Sequence, residues 1–143
     1  PYFVPDGELL RALRVAALRG VHVELLVPKR SNLPFVDWAR NPQLPFLLRS
    51  GCRILLGGAP FDHSKLMVVD GAWSLIGSTN WDARSLRLNF EYNVECYDET
   101  LAARLEALVD DKARGATELT LEALEGRPFP VRLRDGLARL LSP

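Results

Sequence analysis

Between residues 63 and 80 the chain sets out His63, Lys65, Asp70, Gly77, Ser78 and Asn80 at the spacing H-x-K-x4-D-x6-G-S-x-N. Side chains alternate along a strand, so a strand through this stretch projects His63 and Lys65 from one face, roughly 6 to 7 Å apart. That places a nucleophilic imidazole beside a cation, which suits a bound phosphate. Ser78 and Asn80 follow on the loop after the next strand and offer neutral hydrogen-bond donors to non-bridging phosphate oxygens. Gly77 lets the backbone turn tightly ahead of them. A single histidine on an apolar strand is ordinarily a core residue, and a single lysine beside it an edge residue whose head reaches water. Six residues at this joint spacing coincide by chance on the order of once in ten million positions or less at average composition. The pattern therefore points to chemistry at a bound phosphate.

The elements that must hold these residues read as an alternation of strands and helices. Residues 2–4 resemble a strand end, Asp6 is an N-cap, and Leu9, Leu10, Leu13, Ala16 and Ala17 repeat at helical spacing up to Gly20. Residues 21–27 read as a buried strand, 34–50 as a helix broken near Pro42 and Pro45, and 52–56 as a second strand. A third strand is predicted over 63–69, an Asp70-Gly71 hairpin turn after it, and a fourth strand over 72–76. A polar loop leads to a fifth strand over 92–97 and a helix over 101–108. Thr120 caps a short helix that Gly126, Pro128 and Pro130 end, and residues 131–141 alternate Arg with Leu as an amphipathic helix would. The order β-α-β-α-β-β-β-α predicts an α/β fold: a mixed β-sheet with helices on both faces, in a single domain over 1–143.

Composition narrows the classes. Nearly half of the 143 residues are apolar, enough for a real core, and acids and bases cancel at 18 each. A nucleic-acid binder is usually basic, so nucleic acid is disfavoured as a partner. Trp38, Trp73 and Trp81 are scattered and form no stacking series. Trp73 reads as a hairpin core residue, whereas Trp81 fits either the wall of a pocket or core packing. Cys52 and Cys96 both sit in predicted strands and read as reduced, buried thiols. Neither a zinc site nor a redox pair is suggested. The apolar runs are too short to span a bilayer, and no signal peptide is visible. The chain opens on Pro1 without an initiating Met and reads as a fragment of a longer protein.

The motif is similar to the signature of the phospholipase D superfamily, H-x-K-x4-D followed by G-S-x-N. The likeness extends over Pro1-Tyr2-Phe3-Val4-Pro5, residues 16–21, the run Trp81 to Glu91, and the ending Arg127-Pro128 with Leu140-Leu141-Ser142-Pro143. In these runs the chain resembles the C-terminal half of bacterial cardiolipin synthases. The resemblance implies a phospholipase D-like half-domain in which two motifs meet at a pseudo-twofold axis. One histidine attacks phosphorus to form a phosphohistidine, and the other protonates the departing alcohol. Carried over, His63 is the nucleophile or its acid partner, and Lys65, Ser78 and Asn80 hold phosphate without any metal or cofactor. Glu91 falls where the family places a carboxylate that bonds the imidazole. Asp70 belongs to the motif, but its place in the Asp-Gly turn argues for a structural role.

Two departures stand out. Asp62 precedes His63 where cardiolipin synthases usually carry an apolar residue; its charge either raises the imidazole pKa or faces solvent, and solvent is the preferred reading. Only one H-x-K is present, because His22 is followed by Val23 and Glu24. The site needs a missing N-terminal half or a second copy of the chain. Three readings follow. The first is a phosphatidyltransferase half acting on anionic phospholipid (phosphatidylglycerol) at the bacterial cytoplasmic membrane, the fragment itself being soluble. The second is a single-motif phosphodiesterase or nuclease active as a homodimer, and the third a non-catalytic dimerising module. Retention of the whole motif with Glu91 disfavours the third. The tail with Arg132, Arg134 and Arg139 among leucines suits a membrane surface, but docking of those leucines on the domain is the preferred account.

Overall fold

The computed structural model describes residues 1–142, so Pro143 of the C-terminal run lies outside the described residues. The chain enters on β1 (Phe3–Val4), and the Asp6 side chain then accepts the Leu9 amide at 2.9 Å to start α1 (Gly7–Leu18). Gly20, at φ +91°, takes the left-handed conformation that ends it. β2 (Glu24–Pro28) is shorter than predicted and leaves His22 exposed ahead of it. Residues 34–50 fold as α2 (Pro34–Arg40) and α3 (Leu44–Leu48), broken where the prolines require it. β3 (Arg53–Gly57) lies parallel to β2, with Leu25 opposite Ile54.

β4 (Leu66–Val69) and β5 (Trp73–Gly77) form the predicted hairpin. Asp70 and Gly71 at its tip both have positive φ, 52° and 62°, as a turn matched to the strand twist demands. Two short elements follow that the sequence did not announce. β6 (Trp81–Asp82) pairs with β1, and α4 (Ala83–Arg87) is capped by Asp82 through the Ser85 amide at 2.8 Å. β7 (Asn93–Tyr97) lies antiparallel to β5, and α5 (Glu99–Ala113) runs longer than predicted. β8 (Thr117–Glu118) pairs with β3, Thr120 caps α6 (Leu121–Glu125), and α7 (Phe129–Leu141) closes the chain.

The mixed α/β architecture is as expected, but the strands divide into three short sheets, β1-β6, β2-β3-β8 and β4-β5-β7. The main core gathers Phe3, Val27, Leu44, Leu47, Cys52, Ile54 and Leu124, with Leu10, Leu13 and Trp81 packed against it. Trp81 is thus a core residue, its ring 6.1 Å from that of Phe3. Trp73 is only half-buried. Cys52 is buried and Cys96 half-buried, both as free thiols, which corrects the expectation that both are buried.

No residue of β4, β5 or β7 belongs to either core cluster, and Ser74 is the one buried residue among these three strands. α7 also departs from expectation. It docks through Asp135 and Ala138, both buried, while Leu133, Leu137, Leu140 and Leu141 stay exposed. The buried Asp135 carboxylate is satisfied by Arg127 at 2.6 Å, Arg134 at 2.6 Å and Asn41 at 2.9 Å.

Candidate active site

His63 and Lys65 lie just before β4 and not within it. The cause is local: Asp62 Oδ1 accepts both the Ser64 amide at 2.9 Å and the Ser64 hydroxyl at 2.6 Å, which diverts that amide from a ladder. The ladder resumes at Lys65, whose carbonyl accepts the Gly77 amide at 3.1 Å. The two side chains nevertheless meet. Lys65 Nζ stands 2.9 Å from His63 Nδ1 and 3.2 Å from Nε2, and donates to the His63 carbonyl at 2.9 Å. Imidazole and cation therefore occupy one spot, closer than strand alternation alone would place them.

The rings of Tyr2 and Phe61 each lie 5.8 Å from the imidazole, Tyr2 edge-on. Tyr2 is fixed in turn by its hydroxyl, which donates to Asn32 Oδ1 at 2.6 Å. Partial burial lowers the His63 pKa below the ordinary 6.5, and the neighbouring Lys65 charge lowers it further against a weaker opposing pull from Asp62. Desolvation likewise lowers Lys65, opposed by the charges of Glu91 and Asp62. The imidazole is therefore neutral, and able to attack, to lower pH than an isolated histidine.

Asp62 does not simply face solvent, as the preferred reading had it. It pairs with Lys112 of α5 at 2.6 Å, and Lys112 also donates to Ser64 Oγ at 3.2 Å. Desolvation tends to raise the Asp62 carboxyl, but the bonds from Lys112 and Ser64 outweigh it and bring its pKa to about 2. The residues either side of His63 are thus tied to one lysine fifty positions away. Nothing local in the sequence signals that tie.

Ser78 and Asn80 reach the same cleft, a space of about 660 Å³ lined also by Tyr2, His63, Lys65, Leu66, Ile76, Leu105 and Leu108. Polar and apolar side chains both line it, Leu105 and Leu108 of α5 among the latter. Glu91 departs from the predicted bond to the imidazole: its carboxylate accepts from Ser78 Oγ at 2.5 Å and from Asn89 at 3.3 Å. The Ser78 bond is the main cause of its lowered pKa. The one hydroxyl proton of Ser78 is thereby committed, so Ser78 is not a free donor here. Asn80 donates to Ser85 Oγ at 3.3 Å, and its buried Oδ1 has no partner. Asp70 lies outside the cleft, past the far end of β4, about 16 Å along the strand from the ladder's start at Lys65. Its geometry is that of a turn former.

Gly77 is needed for space and not for the tight turn predicted. It closes β5 without positive φ, but a Cβ there would lie 2.5 Å from the Tyr92 carbonyl oxygen and 2.8 Å from Asn93 Cα. Both are backbone atoms, so β5 and β7 must part. Gly77→Ala is expected to cost about 1–3 kcal/mol of stability, read by denaturant unfolding. Because the Ser78 amide donates to that same carbonyl at 3.0 Å, activity should fall at least about tenfold as well, read as turnover of the folded variant.

An imidazole, an adjoining cation and amide and hydroxyl groups share one cleft. Residues 1–112 match the family described as cardiolipin synthase, PLD-like domain, and the chain belongs to it. It is 41% identical over its whole length to cardiolipin synthase 1 of Staphylococcus epidermidis, covering 29% of that protein. Against the major cardiolipin synthase ClsA of Bacillus subtilis it is 38% identical over its whole length, covering 30%. The chain thus spans less than a third of the curated relatives it matches. The fold is shared with Nuc, a phospholipase D family member from Salmonella typhimurium, at a TM-score of 0.72 and 22% identity, over 82% of this chain and 77% of that one. It is shared too with phosphatidylserine synthase of Haemophilus influenzae, at a TM-score of 0.74 and 19% identity, over 99% of this chain and 39% of that one.

Proposed function

We propose that residues 1–143 supply one half of a phosphatidyltransferase site that joins two phosphatidylglycerols into cardiolipin, releasing glycerol, at the bacterial cytoplasmic membrane. The observation that carries the reading is the mixed lining of one cleft, which holds His63, Lys65, Ser78 and Asn80 together with Leu66, Ile76, Leu105 and Leu108. A phosphodiester with a greasy neighbour fits such a cleft better than a nucleic-acid backbone does, and the balanced charge agrees.

In this mechanism one imidazole attacks phosphorus, and the bond to the head-group glycerol breaks as the second imidazole protonates that oxygen. The hydroxyl of a second phosphatidylglycerol then attacks, gives its proton to the second imidazole, and frees the first. His63 fills either role. Lys65 and Asn80 take up charge on the non-bridging oxygens, joined by Ser78 once its hydroxyl turns from Glu91 to phosphate. The second imidazole comes from the half that carries the other motif. In support, Leu88, Phe90 and Tyr92 stand 73%, 109% and 77% exposed beside Glu91, an apolar rim suited to being covered. No helix among the described residues is long and apolar enough to cross a membrane.

The test is a joined enzyme, this chain with its second-motif half, given phosphatidylglycerol labelled in the terminal glycerol. One glycerol should be released per cardiolipin formed, with an acid-labile phosphohistidine trapped on rapid quenching, and the chain alone should be inert. Turnover of a simple diester by the chain alone, as a dimer, would instead favour a homodimeric phosphodiesterase.

A further inference from the structure

We propose that α7 lays its outward face on an anionic lipid surface, a contact separate from the cleft. Phe129, Leu133, Leu137, Leu140 and Leu141 are 73%, 52%, 52%, 82% and 76% exposed. Their spacing, at steps of four, four, three and one, brings all five onto one side of a helix. Five adjoining apolar side chains left in water form a patch of the kind that marks an interaction surface.

Charge identifies what covers it. The one acid of α7, Asp135, is buried on the opposite side and satisfied by Arg127 and Arg134. Every other charge on the helix is an arginine. At 100° per residue Arg132 borders the stripe on one side and Arg134 on the other. The Arg134 guanidinium is held 4.4 Å above the Trp38 ring, which fixes it at that border. A second copy packed on this stripe would set arginine against arginine, and Glu125, the acid of the adjoining groove, is already paired with Arg49. An anionic bilayer offers an apolar interior to the leucines and negative headgroups to Arg132, whose stem is long enough to reach them, while Arg134 stays paired with Asp135. Phe46 of α3, 45% exposed, lines the groove beside Phe129 and Leu133 and widens the apolar surface.

This inference deepens the proposed function by saying how the domain sits on its substrate's own bilayer, yet it is tested without turnover. The 143-residue chain is sedimented with vesicles of phosphatidylglycerol and phosphatidylcholine, or of phosphatidylcholine alone. Binding is expected to the anionic vesicles, weakened at least tenfold by the double change Leu137→Glu with Leu140→Glu. Arg132→Gln should weaken it about fivefold, as one surface cation is worth. Both sites are exposed, and circular dichroism checks that the variants fold. His22→Gln, at an exposed site that lines neither groove, should bind like wild type. Undiminished binding by the double glutamate variant would overturn the proposal. So would light scattering showing a wild-type dimer that this variant dissolves, since the stripe would then be covered by a second copy. Absence of transferase activity would leave the vesicle result standing.

Discussion

Replacing His63 with alanine in the two-motif enzyme is expected to bring phosphatidyl transfer below about a thousandth of the wild-type rate. The imidazole is the group in the cleft that combines a neutral nitrogen lone pair, an exposed position and a cation within 3.2 Å to receive the phosphate. Without it either the covalent intermediate cannot form or the departing alcohol leaves unprotonated, and the barrier rises in both cases. The side chain is exposed, so a loss of fold does not confuse the result; an unchanged melting temperature is the control. The measurement is cardiolipin formed per enzyme per minute, together with the yield of phosphohistidine. A residual rate above about a tenth would point to another nucleophile. Ser78, whose hydroxyl already donates to the Glu91 carboxylate, is the first place to look.

Lys65→Met should cost about a hundred- to a thousandfold in kcat, the range found when a preorganised donor to a developing charge is removed. Methionine keeps the apolar stem and the length but deletes the charge that meets phosphate. The same change has a second, independent consequence. Burial is the larger cause of the depressed His63 pKa and the Lys65 charge the next, so the variant should move the imidazole back up toward 6.5 without fully reaching it. The direction matters for activity. In the wild type the acid limb of the pH–rate profile lies below 6.5, and in the variant's residual activity that limb moves to higher pH. Imidazole signals in a nuclear magnetic resonance titration of the chain report the shift directly. The other histidine, His22, is exposed outside the cleft and is removed from the spectrum by His22→Gln. An unmoved His63 titration would mean that Lys65 swings away from the ring in solution.

Much of this site was legible because its chemistry is written locally. H-x-K and G-S-x-N each occupy a few consecutive positions, and the Asp70-Gly71 turn brings the two ends of the hairpin together. Asp6 and Thr120 announced their helices because an N-cap acts on amides two or three residues ahead. What escaped depends on distance along the chain. Lys112 meets Asp62 across fifty residues, and two-residue strands such as β6 and β8 leave no period to read. The start of β4 was misplaced because one aspartate captured an amide that the ladder would have used. The leucines of α7 have the right spacing for a buried stripe. Their exposure follows from Asp135 and Ala138 having taken the inner side, with arginines ready to neutralise the acid.

The sheet that carries Lys65, Ser78 and Glu91 at its edges contributes nothing to either core cluster. Its hydrogen bonds are its own, and few apolar contacts anchor it to α1, β2, β3 and α3. α5 packs on it and on β3 alike, and a sheet so thinly anchored is expected to open before the rest of the chain. Warming would then silence the chemistry before the domain melts, and inactivation and unfolding become two events. Whatever covers the open side of that sheet raises heat resistance and turnover together.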